Sequence, residues 1–428
     1  MRLTNDLLPA LLNLQFAFST PPPQQPLQPS KAKPVSPALF TELATLARVV
    51  DITYCIHPLN YGLHKPFTCL SHCSAFPSFE LVTTWNTGPL LSDSCGYVAL
   101  DHAKERIVVA FRGTYSLVNT VVDLSSGAQD YIPYDPEDED AGKEQDKGLG
   151  TRQHIFGGQR RLRCENCTVH TGFHRAWLNT RSVLLPALSE QLLVYPHYEL
   201  HLLGHSLGGA VAALAALDLH ARGWEPVVTT FGEPRVGNRA LAKYVDEIFN
   251  LTDVQNGDVA ERAESEAEGE GEGRRRYRRV THVDDPVPLL PLSEWGFAAH
   301  AGEIFISKSA LEPEAGDMHF CEGHVDQSCI AGQDSTTTSS SDAPGSGQGK
   351  EHEVPQVRKR DGNDLIASVA NELEDVRTES WGVPARYKLW RLFWAHRDYF
   401  LRLGICAPGG DPSGSGRWAD VGKAWTGI

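Results

Sequence analysis

A glycine-flanked serine is the part of this sequence whose residue types most directly predict chemistry. Residues 204–208 read Gly-His-Ser-Leu-Gly, so Ser206 has a glycine two positions away on each side. An apolar stretch over 198–203 precedes this pentapeptide, and an alanine-rich stretch over 209–217 follows it. This order predicts a strand, a sharp turn and a helix, which is the setting of a nucleophilic serine in acyl transfer. The turn strains the serine backbone, the glycines relieve steric conflict, and the helix N-terminus stabilises negative charge.

A serine hydroxyl becomes a good nucleophile only when a base accepts its proton and a carboxylate orients that base. In enzymes with such a turn the chain order is serine, acid, histidine, so the partners lie downstream of Ser206. Asp284 and Asp285 follow a predicted strand at 279–283, where side chains of an open α/β sheet face a ligand. The downstream histidines considered are His300, His319, His324, His352 and His396. The residue types favour His396, in an aromatic-rich segment, but a buried structural histidine there remains an alternative.

Hydrogen-bond donors for a developing oxyanion are predicted at two places. One is the backbone N–H of Leu207, the residue after the serine. The other is Thr114, which follows the predicted strand 107–111 and offers both an N–H and a hydroxyl. Removing one such donor typically lowers the rate by about 100- to 1000-fold. A threonine in an ordinary turn is the alternative interpretation of Thr114.

Charge and cysteine content narrow the class of protein. The formal net charge of −15 argues against a nucleic-acid partner, and no apolar run has the length of a membrane span. The nine cysteines do not follow the paired spacing of zinc sites, so we predict no metal and favour disulfides formed in an oxidising compartment. Sequons at Asn166 and Asn250 agree with a secreted glycoprotein. The secretory lumen or the vacuole is the alternative location.

The chain divides into a central domain and two tails. Residues 1–36 are predicted to be a signal peptide followed by a proline-rich tail, residues 37–410 the domain, and residues 411–428 a C-terminal tail. Charged or Ser/Gly-rich insertions interrupt the domain at about 127–163, 254–278 and 330–364.

Strands and helices alternate through the domain. This order predicts a mostly parallel central sheet flanked by helices. The predicted strands are 96–100, 107–111, 199–203, 227–231 and 279–283. One predicted helix covers 183–194, where Pro186 is compatible with a helix only in its first turn.

Several segments, in order, resemble the fungal class 3 lipases, the family of filamentous-fungus triacylglycerol lipases and feruloyl esterases. They are 111–114 (Phe-Arg-Gly-Thr), 169–173 (Val-His-Thr-Gly-Phe), 204–209, 230–238 (Thr-Phe-Gly-Glu-Pro-Arg-Val-Gly-Asn), 281–291, 300–303 and 396–400 (His-Arg-Asp-Tyr-Phe). The resemblance implies an α/β-hydrolase fold and no cofactor. It implies Ser206 as nucleophile, Asp285 as the acid because it precedes x-Val-Pro, and His396 as the base because it precedes x-x-Tyr-Phe. Thr114 and Leu207 would form the oxyanion hole.

The resemblance also implies a disulfide pairing. A long bridge would join Cys55 to Cys406, and Cys95 would remain a thiol. The local bridges would be Cys69–Cys73, Cys164–Cys167 and Cys321–Cys329.

A lid over the site is predicted at 116–124, with apolar residues Leu117, Val118, Val121 and Val122. An apolar lid suits a lipid ester at an oil–water or membrane surface, because lipid covers the area that opening exposes. Thr120 stands where the lipases often carry tryptophan, and an ordinary surface helix is the alternative. The remaining alternatives are a feruloyl esterase or phospholipase on the same site, and an inactive lipid- or polysaccharide-binding protein. Oligomeric state is not predicted.

Overall fold

The computed structural model describes most of the predicted domain but not its lid or the bulk of its insertions. The described residues are 33–56, 62–88, 93–114, 127–134, 163–251, 275–324, 326–332 and 395–411. Leu117, Val118, Val121 and Val122 lie outside them, so the lid stays a prediction.

The centre of the described structure is an eight-stranded sheet in the order β1-β2-β3-β6-β7-β9-β11-β12. The described strands, in chain order, are β1 (Phe79–Asn86), β2 (Cys95–Asp101), β3 (Arg106–Phe111), β4 (Ala128–Asp130), β5 (Thr168–His170), β6 (Glu199–His205), β7 (Val227–Phe231), β8 (Gly237–Asn238), β9 (Tyr277–His282), β10 (Phe297–Ala298), β11 (Glu303–Ile306), β12 (Met318–Phe320), β13 (Asp398–Tyr399) and β14 (Leu401–Arg402). The inner strands β3, β6, β7, β9 and β11 pair in parallel, and the outer strands pair antiparallel. The predicted mostly parallel sheet is therefore confirmed.

Helices cover both faces of this sheet. They are α1 (Pro37–Asp51), α2 (Thr171–Val194), α3 (Leu207–Ala221) and α4 (Arg239–Ile248). Neighbours along β2 show the two faces, because Val98 and Leu100 join the core under α2 and α3, whereas Tyr97 and Ala99 join the core under α1. The sheet therefore has an apolar core on each face, because helices cover both sides and the side chains of both strand faces are buried.

The helix predicted at 183–194 begins earlier than expected. It starts at Thr171, and Pro186 lies in its interior rather than in its first turn, so that part of the prediction was wrong. The side chain of His170 accepts a hydrogen bond from Phe173 N at 3.4 Å and caps the true N-terminus. Pro186 is tolerated because it and Ser182, whose carbonyl loses its partner, both lie on the exposed side of the helix.

The four disulfides implied by the resemblance are present. They join Cys55 to Cys406, Cys69 to Cys73, Cys164 to Cys167 and Cys321 to Cys329. Cys95 is a buried free thiol, and burial raises its pKa to about 11. His319 lies beside Cys321 and Cys329, but the disulfide between those two removes the thiolates that a metal would need.

Two further observations concern the ends of the domain and its helices. The chain already packs on the domain at Val35, inside the predicted N-terminal tail: this side chain is buried, and its N–H donates to the carbonyl of Met318 at 3.2 Å. None of the described helices combines the length and apolar character that crossing a membrane requires.

Candidate active site

Ser206 occupies a sharp turn between β6 and α3. Its backbone has φ 58° and ψ −130°, a region that costs a non-glycine residue about 1–3 kcal/mol. The turn is held by hydrogen bonds from Ser206 N to the carbonyl of Phe231 at 3.0 Å and from Gly209 N to the carbonyl of Ser206 at 2.8 Å. The predicted strand, strained turn and helix are therefore confirmed.

The glycines of the turn are required by close backbone approach. A Cβ on Gly204 would lie 2.3 Å from the carbonyl oxygen of Gly208. A Cβ on Gly208 would lie 2.4 Å from the carbonyl oxygen of Phe111 at the end of β3. A side chain at position 204 would push α3 away from β6, and one at position 208 would push α3 away from β3.

His396 and Asp285 form a buried pair on the C-terminal side of the sheet. His396 Nδ1 lies 3.0 Å from Asp285 Oδ1 and 2.9 Å from Oδ2, and both side chains are buried. Asp285 follows β9, and its Oδ1 also accepts from Val287 N at 2.9 Å. The hydroxyl of Tyr399 donates to Oδ2.

These contacts set the ionisation of Asp285. Burial raises the pKa of its carboxyl, but the electrostatic interaction with His396 and the hydrogen bonds from His396, Tyr399 and Val287 together lower it by more than burial raises it. The net result is a pKa below the usual aspartate value. An ionised Asp285 accepts the Nδ1 proton of His396, so Nε2 is the nitrogen that can act as a base.

His396 reaches the serine turn through the residue before Ser206. The rings of His205 and His396 stack with their centroids 4.7 Å apart, and His205 Nε2 donates to the carbonyl of His396 at 2.8 Å. His396 Nε2 has no hydrogen-bond partner within the described ranges, so it makes no hydrogen bond to Ser206 Oγ in this structure. In free enzymes such catalytic hydrogen bonds are often long and tighten when substrate binds.

Gly232 lies against the His396–Asp285 pair and leaves room for both side chains. It has φ +60°, and a Cβ there would lie 2.9 Å from both Asp285 Oδ2 and His396 Cε1. Only glycine fits this backbone and this approach.

The predicted oxyanion donors lie on elements that meet at Ser206. Leu207 follows the serine directly as the first residue of α3. A Cβ on Gly113 would lie 2.8 Å from Ser206 Cβ and 3.0 Å from the carbonyl oxygen of His205, so the turn that carries Thr114 presses against the serine turn. The N-terminus of α3 also directs its positive dipole end toward this place.

The other candidates lie away from this cluster or outside the described residues. Asp284 accepts from the hydroxyl of exposed Ser309. His300 pairs with Glu233, with Nε2 2.9 Å from Oε1. His319 lies 3.6 Å from Cys329 Sγ, and His352 falls outside the described ranges.

Sequence reasoning missed four residues that shape the site: Tyr54, His205, Gly232 and Tyr399. Gly232 and Tyr399 lie within the motifs that carried the resemblance, and His205 is part of the serine pentapeptide. Tyr54 carries no motif, and its only signal is its place next to Cys55.

Comparisons with known proteins agree with this geometry. The model of the family Lipase (class 3) matches residues 108–295. The secreted mono- and diacylglycerol lipase 2 of Gibberella zeae is 45% identical over 407 residues, which cover 91% of this chain and 88% of that protein. Lipase A of Sodiomyces alcalophilus is 46% identical over 422 residues, covering 94% and 90%.

A solved structure supports the same assignment. The crystal structure of Lip2 lipase from Yarrowia lipolytica superposes with a TM-score of 0.61 at 26% identity, covering 88% of this chain and 98% of that one. The two curated relatives match nearly the full length of the chain at well over 30% identity. The chain therefore belongs to the class 3 lipase family and is a lipase, a carboxylic ester hydrolase with an α/β-hydrolase fold.

Proposed function

We propose that this lipase hydrolyses acylglycerol esters with Ser206 as nucleophile, His396 as general base and acid, and Asp285 as the residue that orients His396. One observation carries the assignment: a serine in a strained turn at φ 58° whose preceding residue stacks on a buried histidine–aspartate pair. Strain at such a turn is maintained only where the surrounding structure overdetermines it, and such strain clusters at functional sites.

The reaction follows from the positions of the protons. His396 Nε2 accepts the hydroxyl proton as Ser206 Oγ attacks the acyl carbonyl carbon, and Asp285 stabilises the resulting imidazolium. The tetrahedral intermediate collapses, the bond to the glycerol oxygen breaks, and His396 returns the proton to that oxygen. Water then attacks the acyl-enzyme by the same route, which releases the fatty acid and restores Ser206.

The oxyanion hole consists of the N–H of Leu207 together with the N–H and hydroxyl of Thr114. Support for this proposal comes from the contact between the Gly113 turn and the Ser206 turn, which brings two backbone segments to one carbonyl position. Preformed donors of this kind stabilise the charge of the intermediate without reorganising during the reaction.

The substrates are proposed from the relatives and from the predicted lid. The Gibberella zeae relative bears the name of a secreted mono- and diacylglycerol lipase, so we propose partial acylglycerols among the substrates and secretion of this chain. Four disulfides agree with an oxidising compartment. The apolar residues of the predicted lid at 117–122 favour substrate at a lipid–water surface.

A substrate panel on the wild type and Ser206→Ala tests the proposal. Monoacylglycerol, diacylglycerol, triacylglycerol, phospholipid and methyl ferulate would be compared, with Ser182→Ala, exposed on α2, as the matched control. We expect Ser206→Ala to lose at least about 1000-fold in kcat and to escape labelling by a fluorophosphonate probe, whereas Ser182→Ala behaves as wild type. Turnover retained by Ser206→Ala would overturn the assignment. Preferred cleavage of methyl ferulate or phospholipid would overturn the substrate class.

A further inference from the structure

A buried tyrosine is connected to the catalytic histidine through a second histidine. The hydroxyl of Tyr54 lies 2.6 Å from His205 Nδ1, and His205 Nε2 lies 2.8 Å from the carbonyl oxygen of His396. Gly113 lies against the same tyrosine hydroxyl, since a Cβ there would be 2.7 Å from Tyr54 Oη. Hydrogen bonds thus join Tyr54, which packs against the turn before Thr114, to the backbone of His396.

The direction of each hydrogen bond follows from the chemistry of its ends. A backbone carbonyl only accepts, so His205 carries its proton on Nε2 and its Nδ1 must accept. The Tyr54 hydroxyl therefore donates to His205 Nδ1. Each hydrogen bond has a fixed direction, and replacing Tyr54 or His205 would leave a buried polar group without its partner.

Burial keeps His205 neutral, although its hydrogen bond to the His396 carbonyl acts in the opposite direction. Burial, followed by the charge of neighbouring His396, lowers the pKa of His205 to about 3. Neutrality matters because the His205 ring stacks on His396 at 4.7 Å, and His396 becomes positive when it accepts the serine proton. A second positive ring at this distance would oppose that step.

Tyr54 is itself held firmly. It lies in a 3₁₀ helix, Ile52–Cys55, that continues α1, and the adjacent Cys55 is bonded to Cys406. Its ring also borders Gly404, where a Cβ would lie 3.7 Å from Tyr54 Cε1. The tyrosine is therefore anchored to the C-terminal segment that carries His396.

We propose that Tyr54 is a positioning residue of the ester-hydrolysing site, which acts through His205 to hold the Gly113–Thr114 turn and the His396 backbone in register around Ser206. This inference rests on the proposed roles of Ser206 and His396. In this role Tyr54 acts through His205 and not on the substrate directly. Its contribution is to restrict the site to the arrangement in which the base and the oxyanion donors face one carbonyl group.

Tyr54→Phe tests the proposal, with Tyr97→Phe as the matched control. Tyr97 is also buried beneath α1, and its hydroxyl donates to the carbonyl of Val49 at 2.8 Å, without contact to the site. Each variant loses one hydroxyl that donates a buried hydrogen bond. The readout is kcat and KM for a soluble short-chain ester, per active site titrated with a fluorophosphonate, so that unfolded protein does not count.

We expect Tyr54→Phe to lower kcat per active site by about tenfold with little change in KM, and Tyr97→Phe to leave both unchanged. Equal kcat per active site in Tyr54→Phe and wild type would overturn the inference, while an inactive Ser206→Ala would still uphold the proposed function. His205→Gln removes the middle of the same chain and carries the test if Tyr54→Phe does not fold. The double variant should be no slower than the slower single variant, and fully additive losses would contradict action through His205.

Discussion

Two buried histidine–carboxylate pairs in the described structure have the same separation but differ in the second nitrogen of the ring. His396 lies 2.9 Å from Asp285, and His300 lies 2.9 Å from Glu233. The second nitrogen of His300, Nδ1, is 2.7 Å from the carbonyl oxygen of Ala301 and donates to it. The second nitrogen of His396, Nε2, has no partner among the residues described.

The two carboxylates are equally well supplied with donors, so they do not explain the difference. Glu233 Oε2 accepts from the hydroxyls of Thr230 at 2.6 Å and Tyr277 at 2.8 Å. Asp285 accepts from the Tyr399 hydroxyl and a backbone N–H. Burial and pairing alone therefore do not distinguish the two histidines. The proposed catalytic role of His396 is supported by its Nε2, which has no hydrogen-bond partner among the described residues, and by its stacking on the residue before Ser206.

Replacing each of the two histidines in turn should give the largest difference between the pairs. We expect His396→Ala to lower kcat by about 10,000-fold or more per mole of folded protein, because Ser206 loses its base. His300→Gln should instead reduce the free energy of unfolding by about 2–4 kcal/mol, because Glu233 loses a buried partner. Ester turnover and urea unfolding measure the two effects. A large loss of kcat in folded His300→Gln would remove the distinction between the pairs.

The two tyrosines that donate to the carboxylates offer a finer comparison. Tyr399→Phe should lower kcat by about fivefold to 20-fold, since Asp285 loses a donor that lowers its pKa and helps to orient His396. Tyr277→Phe removes the equivalent donor from Glu233 and should cost about 1–3 kcal/mol of stability without changing kcat per active site. Both are measured by active-site titration and steady-state kinetics. Identical kinetics for the two variants would show that the Tyr399 hydroxyl has no special role.

A third buried carboxylate, that of Asp51, extends the comparison, because its pKa shifts in the opposite direction from that of Asp285. Asp51 accepts from Ser71 Oγ at 2.8 Å and from Gly404 N at 2.9 Å, and the nearest histidine nitrogen, in His72, is 3.6 Å away. Burial raises its pKa to about 6 despite these hydrogen bonds and the more distant Arg397, while Asp411 adds to the rise. Asp285, with a histidine in direct contact, has a lowered pKa. A histidine in hydrogen-bond contact with the carboxylate therefore accompanies the lowered pKa.

The sign of the Asp51 effect follows from linkage. The folded protein holds the Asp51 proton more tightly than the unfolded chain, so stability is lost as pH rises from about 4 to about 6. Asp51→Asn cannot titrate, and its free energy of unfolding relative to wild type should rise by up to about 3 kcal/mol between pH 4 and pH 7.5. Urea unfolding at the two pH values measures this, with Asp130→Asn, exposed on β4, as the control. A relative stability independent of pH would contradict the raised pKa.

Much of the fold was predictable because its signals are local. The strand over 227–231 was predicted with its observed bounds, and the helix predicted after Ser206 is present as Leu207–Ala221. The start of α2 was missed because a proline usually marks the first turn of a helix. That Pro186 is tolerated in the helix interior follows from its exposure, which the sequence does not show. The disulfides were implied by family resemblance and not by spacing, since nine cysteines permit many pairings.

The sequence by itself determined the serine turn, because Gly204, Ser206 and Gly208 act over a few residues and their steric needs are local. Residue types left several histidines open, and only the family resemblance selected His396 with Asp285. The contact between these two residues, which are 111 positions apart, is visible only in the tertiary structure. The tertiary structure also placed Tyr54 within hydrogen-bond reach of His205, 151 positions away. Contacts of this kind form only when separate elements pack around one sheet, so the types and spacing of neighbouring residues do not predict them.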